Sequence, residues 1–272
     1  MLDYEKYNPD VTPPVIPEMD ASCFRGMFSD QDAITSVADL KFPESGISSN
    51  CFASMFSNCT NLTIGPSSLP AYQTAKYCYA NMFSGCSSLL TAPSLYGGLD
   101  LSTLADYCYT QMFKDCTSLV TAPSLDAYLL GEGCYQQMFR GCTSLAACPD
   151  LPATQLQAKC YMYMFRGCKS IASPYTFTYI DDVARDCFTG MYQDCTLMSV
   201  YTESRALYRR EWKIKIDGGT LVDTYATDMF KGTSGTFQGT PEVNTSYYVY
   251  GGLDDGITMI SSGQFTVSAQ KH

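Results

Sequence analysis

The stretch Cys108-Tyr109-Thr110-Gln111-Met112-Phe113-Lys114-Asp115-Cys116-Thr117-Ser118-Leu119 decides the fold, because its pattern returns along the chain. Cys51-Phe52 with Met55-Phe56, Cys59 and Leu62 repeats it, as do Cys78-Tyr79, Met82-Phe83, Cys86 and Leu89. Further copies are Cys134-Tyr135, Met138-Phe139, Cys142 and Leu145, then Cys160-Tyr161, Met164-Phe165, Cys168 and Ile171. Cys23-Phe24 with Met27-Phe28 opens the array without a second cysteine. Cys187-Phe188 with Met191-Tyr192 and Cys195 degrades it, and Met229-Phe230 is a distant echo. Successive methionines lie 28, 27, 30, 26, 26, 27 and 38 residues apart. A unit of this length cannot close a core alone, so each must bury its apolar face against its neighbours. The pattern predicts a solenoid.

Within a unit, Cys108, Met112 and Cys116 fall at i, i+4 and i+8, with Tyr109 and Phe113 one position on. That spacing predicts one apolar face of a short helix. The β-branched run Thr117-Ser118-Leu119-Val120-Thr121-Ala122, ended by Pro123, predicts a strand of a few residues. The expected fold class is therefore an α/β repeat solenoid, a right-handed array of short strand plus short helix with the strands stacked in parallel. If Leu89, Leu119 and Leu145 point inward, their neighbours point out. Ser88, Ser118, Ser144 and Ser170 then form a row beside Leu90, Val120 and Ala146. With Thr91 and Thr121, the serine row makes up the candidate binding surface, which is small and nearly uncharged.

The Met-Phe-x-x-Cys-x-x-Leu core, followed four residues later by proline (Leu62/Pro66, Leu89/Pro93, Leu119/Pro123, Leu145/Pro149), resembles the BspA-like leucine-rich repeats of surface proteins of Bacteroides and relatives. An alanine is usual in that family where this chain has methionine. The resemblance covers roughly residues 20 to 200 and implies a leucine-rich-repeat fold with adhesion or ligand recognition at an outer surface. It carries no shared active site.

Net charge is -10, from 17 Lys+Arg against 27 Asp+Glu in 272 residues. Such a balance argues against nucleic acid as a partner, because phosphate binding draws its free energy from lysine and arginine. No apolar run approaches the roughly 18–20 residues of a membrane-spanning helix. The start, Met1-Leu2-Asp3-Tyr4-Glu5-Lys6, lacks the basic and apolar regions of a signal peptide. The expected location is nevertheless extracellular, on a cell surface or on a virion. The single histidine is His272, at the chain end, which leaves Ser-His-Asp and Cys-His catalysis without an oriented imidazole. Phosphate-cradling glycine motifs are absent. The acid pairs Asp181-Asp182 and Asp254-Asp255 read as caps or turns. No enzyme activity, cofactor or metal is expected, since the cysteine pairs within a unit stand eight residues apart and zinc sites want two to four.

All but Cys148 of the 14 cysteines occupy the two repeat positions. On a helix, Cys51 and Cys59 would lie about 12 Å apart, beyond the roughly 7 Å reach of a disulfide. Helix packing would also separate first-position cysteines of neighbouring units by about 10 Å. Only the second-position ladder, Cys59, Cys86, Cys116, Cys142, Cys168 and Cys195, is then close enough to bridge, and the expectation is buried, reduced thiols.

Three regions follow: an extended arm over 1–20 rich in proline, the solenoid over 21–199, and a β-rich C-terminal cap over 200–272. The cap carries hairpin signals around Trp212-Lys213-Ile214-Lys215-Ile216-Asp217-Gly218-Gly219 and a basic patch of Arg205, Arg209, Arg210, Lys213 and Lys215. The expected function is a non-enzymatic recognition or adhesion protein that meets a protein or glycan at a cell surface. The alternative is a structural virion component, a fibre, decoration or tail protein of a phage of Bacteroides-like gut bacteria, which would form a homo-oligomer or dock by its N-terminal arm.

Overall fold

The computed structural model describes residues 19–95, 103–175, 177 and 182–198, with the short pieces 200–201, 215–217, 220–222, 232–233 and 236–237. The arm over 1–18, the Gly-Gly turns, Asp181, the pair Asp254-Asp255, most of the basic patch and His272 lie outside the described residues, while Asp182, expected in a cap or turn, lies in a short strand.

The cysteine-to-cysteine segment is not a helix. Among the described residues no helix occurs at all, and Cys78 to Cys86 runs instead as a ribbon of successive turns. Alternate amides close four-residue turns within the unit. Cys78 N–H donates to Ala75, Ala80 to Tyr77, Met82 to Tyr79 and Ser84 to Asn81, at 3.0–3.2 Å. The intervening amides leave the unit: Tyr79 N–H donates to the Cys108 carbonyl, Asn81 to Thr110 and Phe83 to Met112. Tyr77, Asn81 and Gly85 have φ of 57°, 56° and 79°. Every second turn thus has a left-handed residue at its third position, as a type II turn requires.

This conformation repeats every four residues, so Cys78, Met82 and Cys86 point the same way without the drift of about 40° per step that a 3.6-residue helix imposes. Over three positions the two periods look alike, which is why the spacing predicted a helix. Backbone bonding decides between them. Each of the six junctions between the seven units carries five such N–H···O=C bonds of 2.7–3.2 Å, all running from one unit to the next. Bonds of that kind need backbones about 4.8 Å apart, whereas helices stand 8–10 Å apart.

The close spacing builds the core. Phe28, Phe56, Phe83, Phe113, Phe139, Phe165 and Tyr192 form one column of stacked rings with centroids 5.5–5.8 Å apart and planes within 8°. Phe24, Phe52, Tyr79, Tyr109, Tyr135 and Tyr161 form a second. Offset ring pairs at these distances add about 0.5–1.5 kcal/mol each beyond buried area. The hydroxyls of Tyr79 and Tyr109 are buried with no hydrogen-bond partner among the described residues.

The opposite wall is sparse. Ser36, Ile64, Thr91 and Thr121 are joined by single parallel bridges, and so are Leu129 and Gln155. Two-residue strands pair in parallel: β1 (Ser68–Leu69) with β2 (Ser94–Leu95), and β3 (Gln155–Leu156) with β4 (Asp182–Val183). The stacking is parallel, as expected, but the strand expected over 117–122 shrinks to one bridging residue. Pro66, Pro93 and Pro123 follow two residues after the bridge and donate no amide to extend it.

Past the seventh unit, β5 (Val200–Tyr201) pairs in parallel with β8 (Thr236–Phe237). Gly232, at φ 73°, faces Asp194 so closely that an added Cβ would lie 2.5 Å from its Oδ1. Gly85 stands toward Asn58 and Gly141 toward Asp115 in the same way, so the repeat stacking continues across residue 200. Between these pieces, β6 (Lys215–Asp217) and β7 (Thr220–Val222) pair antiparallel with Asp217 opposite Thr220, the hairpin that Gly218-Gly219 signals.

Candidate functional site

The sparse wall carries the rows in which binding was expected. Ser88, Ser118, Ser144 and Ser170 are half-buried, not open. Their groups serve the stacking: Ser88 N–H donates to Thr60, Ser118 N–H to Ser87, and Ser170 Oγ to the Thr143 carbonyl at 2.7 Å. Thr91 and Thr121 are exposed and adjacent in the bridge register. Leu90 and Val120 stand beside them, 55% and 51% exposed, with Ile64 at 47% on the preceding unit. Ala146 continues the Leu90/Val120 row through its N–H bond to the Val120 carbonyl. The structure therefore joins Thr91 and Thr121 with three large apolar side chains in one exposed strip, while the serine row lies half-buried beside it.

The turn wall offers a second, more polar surface. Tyr77 and Tyr107 stack at 5.0 Å, Tyr107 Oη donates to Glu132 Oε1 at 2.5 Å, and Lys159 Nζ reaches the same oxygen at 2.9 Å. The Tyr107 hydroxyl, with the Lys159 ammonium, holds the Glu132 carboxyl below its usual range. Burial, then the Glu132 carboxylate, raises the Tyr107 phenol. These groups satisfy one another, leaving a static ion pair against an aromatic edge. Sequence spacing did not single them out, because Tyr77, Tyr107 and Lys159 become a row only when the units stack backbone to backbone.

The thiols are structural. Second-position cysteines each donate S–H to a phenylalanine carbonyl of the preceding unit: Cys59 to Phe28, Cys86 to Phe56, Cys116 to Phe83, Cys142 to Phe113 and Cys168 to Phe139, at 3.0–3.1 Å. The carbonyls of Phe56, Phe83, Phe113 and Phe139 already accept a turn amide, so there the thiol takes the second lone pair. Burial pushes the Cys78, Cys86 and Cys195 thiols up to about 12, which leaves them no thiolate to react or to ligate. No disulfide joins any of the 14. The expectation that only this ladder is close enough to bridge is overturned at the first position, where Cys23 and Cys51 Sγ atoms stand 2.8 Å apart. That distance follows from the backbone bonds between units, which put equivalent residues at sheet spacing and not at helix spacing.

Among the described residues no group of three His, Cys, Asp or Glu side chains is placed to hold a metal ion. Nor is any helix among them long and apolar enough to cross a membrane.

No family model matches the chain, and no curated protein matches it. Among solved structures it is similar to a leucine-rich repeat protein from Bacteroides ovatus, 19% identical, with a TM-score of 0.44. The alignment covers 87% of this chain and 55% of that one, so this chain spans about half the length of that protein. The repeat architecture described above rests on the chain's own hydrogen bonds.

Proposed function

We propose that the protein is a non-enzymatic recognition module that binds a neutral glycan or a weakly charged protein surface along its sparse wall. The observation that carries this reading is the exposed strip of Ile64, Leu90 and Val120 alongside Thr91 and Thr121. Large apolar side chains exposed together on a rigid scaffold mark a contact surface, and the threonine hydroxyls supply donors and acceptors between them. The strip is shallow, which suits an extended ligand lying across several units. An outer-surface location and the virion alternative both accommodate this activity. Binding of the full chain to an array of immobilised neutral and acidic glycans tests it, compared with a Leu90→Arg/Thr121→Arg double variant. Both side chains are exposed, so the variant keeps its melting temperature. Neutral-glycan binding that the variant loses supports the strip, and binding unchanged in the variant places the site on another face.

A further inference from the structure

The first repeat is the least buried of the seven described units. It lacks the second cysteine, with Gln31 at that place, and Phe24 and Phe28 remain half-buried where their counterparts are buried. Only one neighbour covers it among the described residues, and terminal units of a solenoid need some device to hold them.

Cys23 and Cys51 lie at this edge. Their Sγ atoms are 2.8 Å apart, Cys23 is exposed and Cys51 is buried beneath it. Phe24 N–H donates to the Cys51 carbonyl at 2.9 Å, which holds the two backbones at sheet spacing, about 4.8 Å and within the 4.4–6.8 Å Cα range that a disulfide spans. The Cys51 thiol also contacts Met19 Sδ at 3.3 Å, so a thioether closes the far side of the pair. No second-position cysteine has such a partner: each of those thiols is directed at a backbone carbonyl. Cys160 lies against Cys187 in a comparable way, but both are fully buried, out of reach of a reagent in solution.

We propose that Cys23 and Cys51 form an oxidative modification site, at which exchange with a low-molecular-weight disulfide links the two sulfurs and staples the first repeat to the second. The exposed Cys23, as thiolate, attacks one sulfur of the small disulfide. Its S–S bond breaks and one small thiol departs with the proton that Cys23 gave up. Cys51 then loses its proton and attacks the Cys23 sulfur of the mixed disulfide, expelling the second small thiol. Two electrons pass from the cysteine pair to the small disulfide, and two thiols leave with the two protons. Burial, then the neighbouring Cys23, pushes the Cys51 thiol up to about 12, so the second step is the slow one and the mixed disulfide at Cys23 accumulates first.

The full chain is incubated in glutathione buffers of increasing oxidised fraction, quenched with an alkylating agent and mapped by mass spectrometry of its peptides. The expected product is one intramolecular disulfide, Cys23–Cys51, with the buried cysteines alkylated only after denaturation. Hydrogen exchange at the Phe24 and Phe28 amides should slow on the order of a hundredfold on oxidation, the scale of constraint that a crosslink imposes on a frayed end. Cys51→Ser should stop at a mixed disulfide on Cys23. Cys23→Ser, a change at an exposed position, should fold and take up no glutathione. A different pairing, a Cys23 adduct in the parent chain that never resolves, or unchanged exchange at Phe24 and Phe28 overturns the proposal.

Discussion

Replacing Gln111 by glycine should make the protein more stable, the reverse of what a glycine inside a helix does. Gln111 has φ 55°, and its N–H donates to the Gln136 carbonyl at 2.8 Å. A residue with a Cβ pays about 1–2 kcal/mol in that left-handed region. Glycine avoids that cost but brings a larger unfolded-state entropy, about 0.5–1 kcal/mol. Gln111→Gly should therefore gain about 0.5–1 kcal/mol, or a rise in melting temperature of about 1–4 °C. Gln111→Ala isolates the backbone effect, because alanine keeps the Cβ and removes the same side chain. Glycine should exceed alanine here by about 1 kcal/mol, whereas in a helix alanine exceeds glycine by about that amount. Ala80, whose φ is not left-handed, provides the contrast: Ala80→Gly loses a buried methyl and stability together. Melting followed by calorimetry on the three variants gives the order. Alanine at least as stable as glycine at position 111 would refute the turn ribbon.

Phe139→Ala should cost about 3–5 kcal/mol, since the ring is fully buried and stacks on Phe113 and Phe165 at 5.7 and 5.8 Å. Phe28→Ala, half-buried with one stacked neighbour, should cost less than half as much in denaturant titration; equal losses would contradict nearest-neighbour stacking. Gly131→Ala drives a Cβ into the backbone of Leu104 to Asp106 and should cost about 1–3 kcal/mol. Gly65→Ala meets nothing nearer than 3.7 Å and should be neutral or slightly stabilising in the same titration. Tyr109→Phe removes a buried hydroxyl that has no partner among the described residues and should gain on the order of 1 kcal/mol; a loss in melting temperature would reveal a partner. In alkali the thiols of Cys78, Cys86 and Cys195, raised to about 12 from 9.0, stay protonated in the fold while the unfolded chain ionises. Their contribution is full below pH 9 and is lost as pH rises toward 12, by about 4 kcal/mol per pH unit for the three together. Tyrosinate absorbance should therefore rise in one cooperative step inside that window, and a gradual rise with the fold retained would contradict the thiols' burial.

The repeat, its phase and nearly all its core were legible in the sequence, because Cys51, Met55, Phe56, Cys59 and Leu62 with their counterparts keep one spacing through the five intact units. The helix was misread because three points at i, i+4 and i+8 do not separate a period of 3.6 from one of 4. A signal against the helix did exist. The residue before each second cysteine is Asn58, Gly85, Asp115, Gly141, Gly167 or Asp194, all of them residue types that tolerate left-handed φ and weaken helix interiors. Tyr77, Gln111 and Tyr163 hold the same conformation without being of that type, so local propensity is silent there and the bonds between units impose the geometry. The exposed strip was half visible: alternation placed Leu90 and Val120 outward, but it gave no reason for the exposure of Thr91 and Thr121, and the half-burial of Ser88 and Ser118 depends on how the units register. Cys23 meeting Cys51 was hidden by the helix spacing assumed for the stack.

The turn wall is chemically directional. Each peptide group that bonds between units points its N–H toward the C-terminal end and its C=O toward the N-terminal end, so these peptide dipoles of about 3.5 D add along the solenoid axis as they do along a helix, but with the negative pole at the N-terminal edge. Among the described residues, the carbonyls of Cys23, Arg25 and Met27 face that edge with no amide on them, and the Ser29 carbonyl accepts only from the Gln31 side chain, at 3.3 Å, so the edge consists of acceptors. An ordinary sheet edge alternates donors and acceptors and can pair with a copy of itself. Two such rows of carbonyls brought face to face would present oxygen to oxygen and repel, so a segment that extends this row must arrive with its amides foremost.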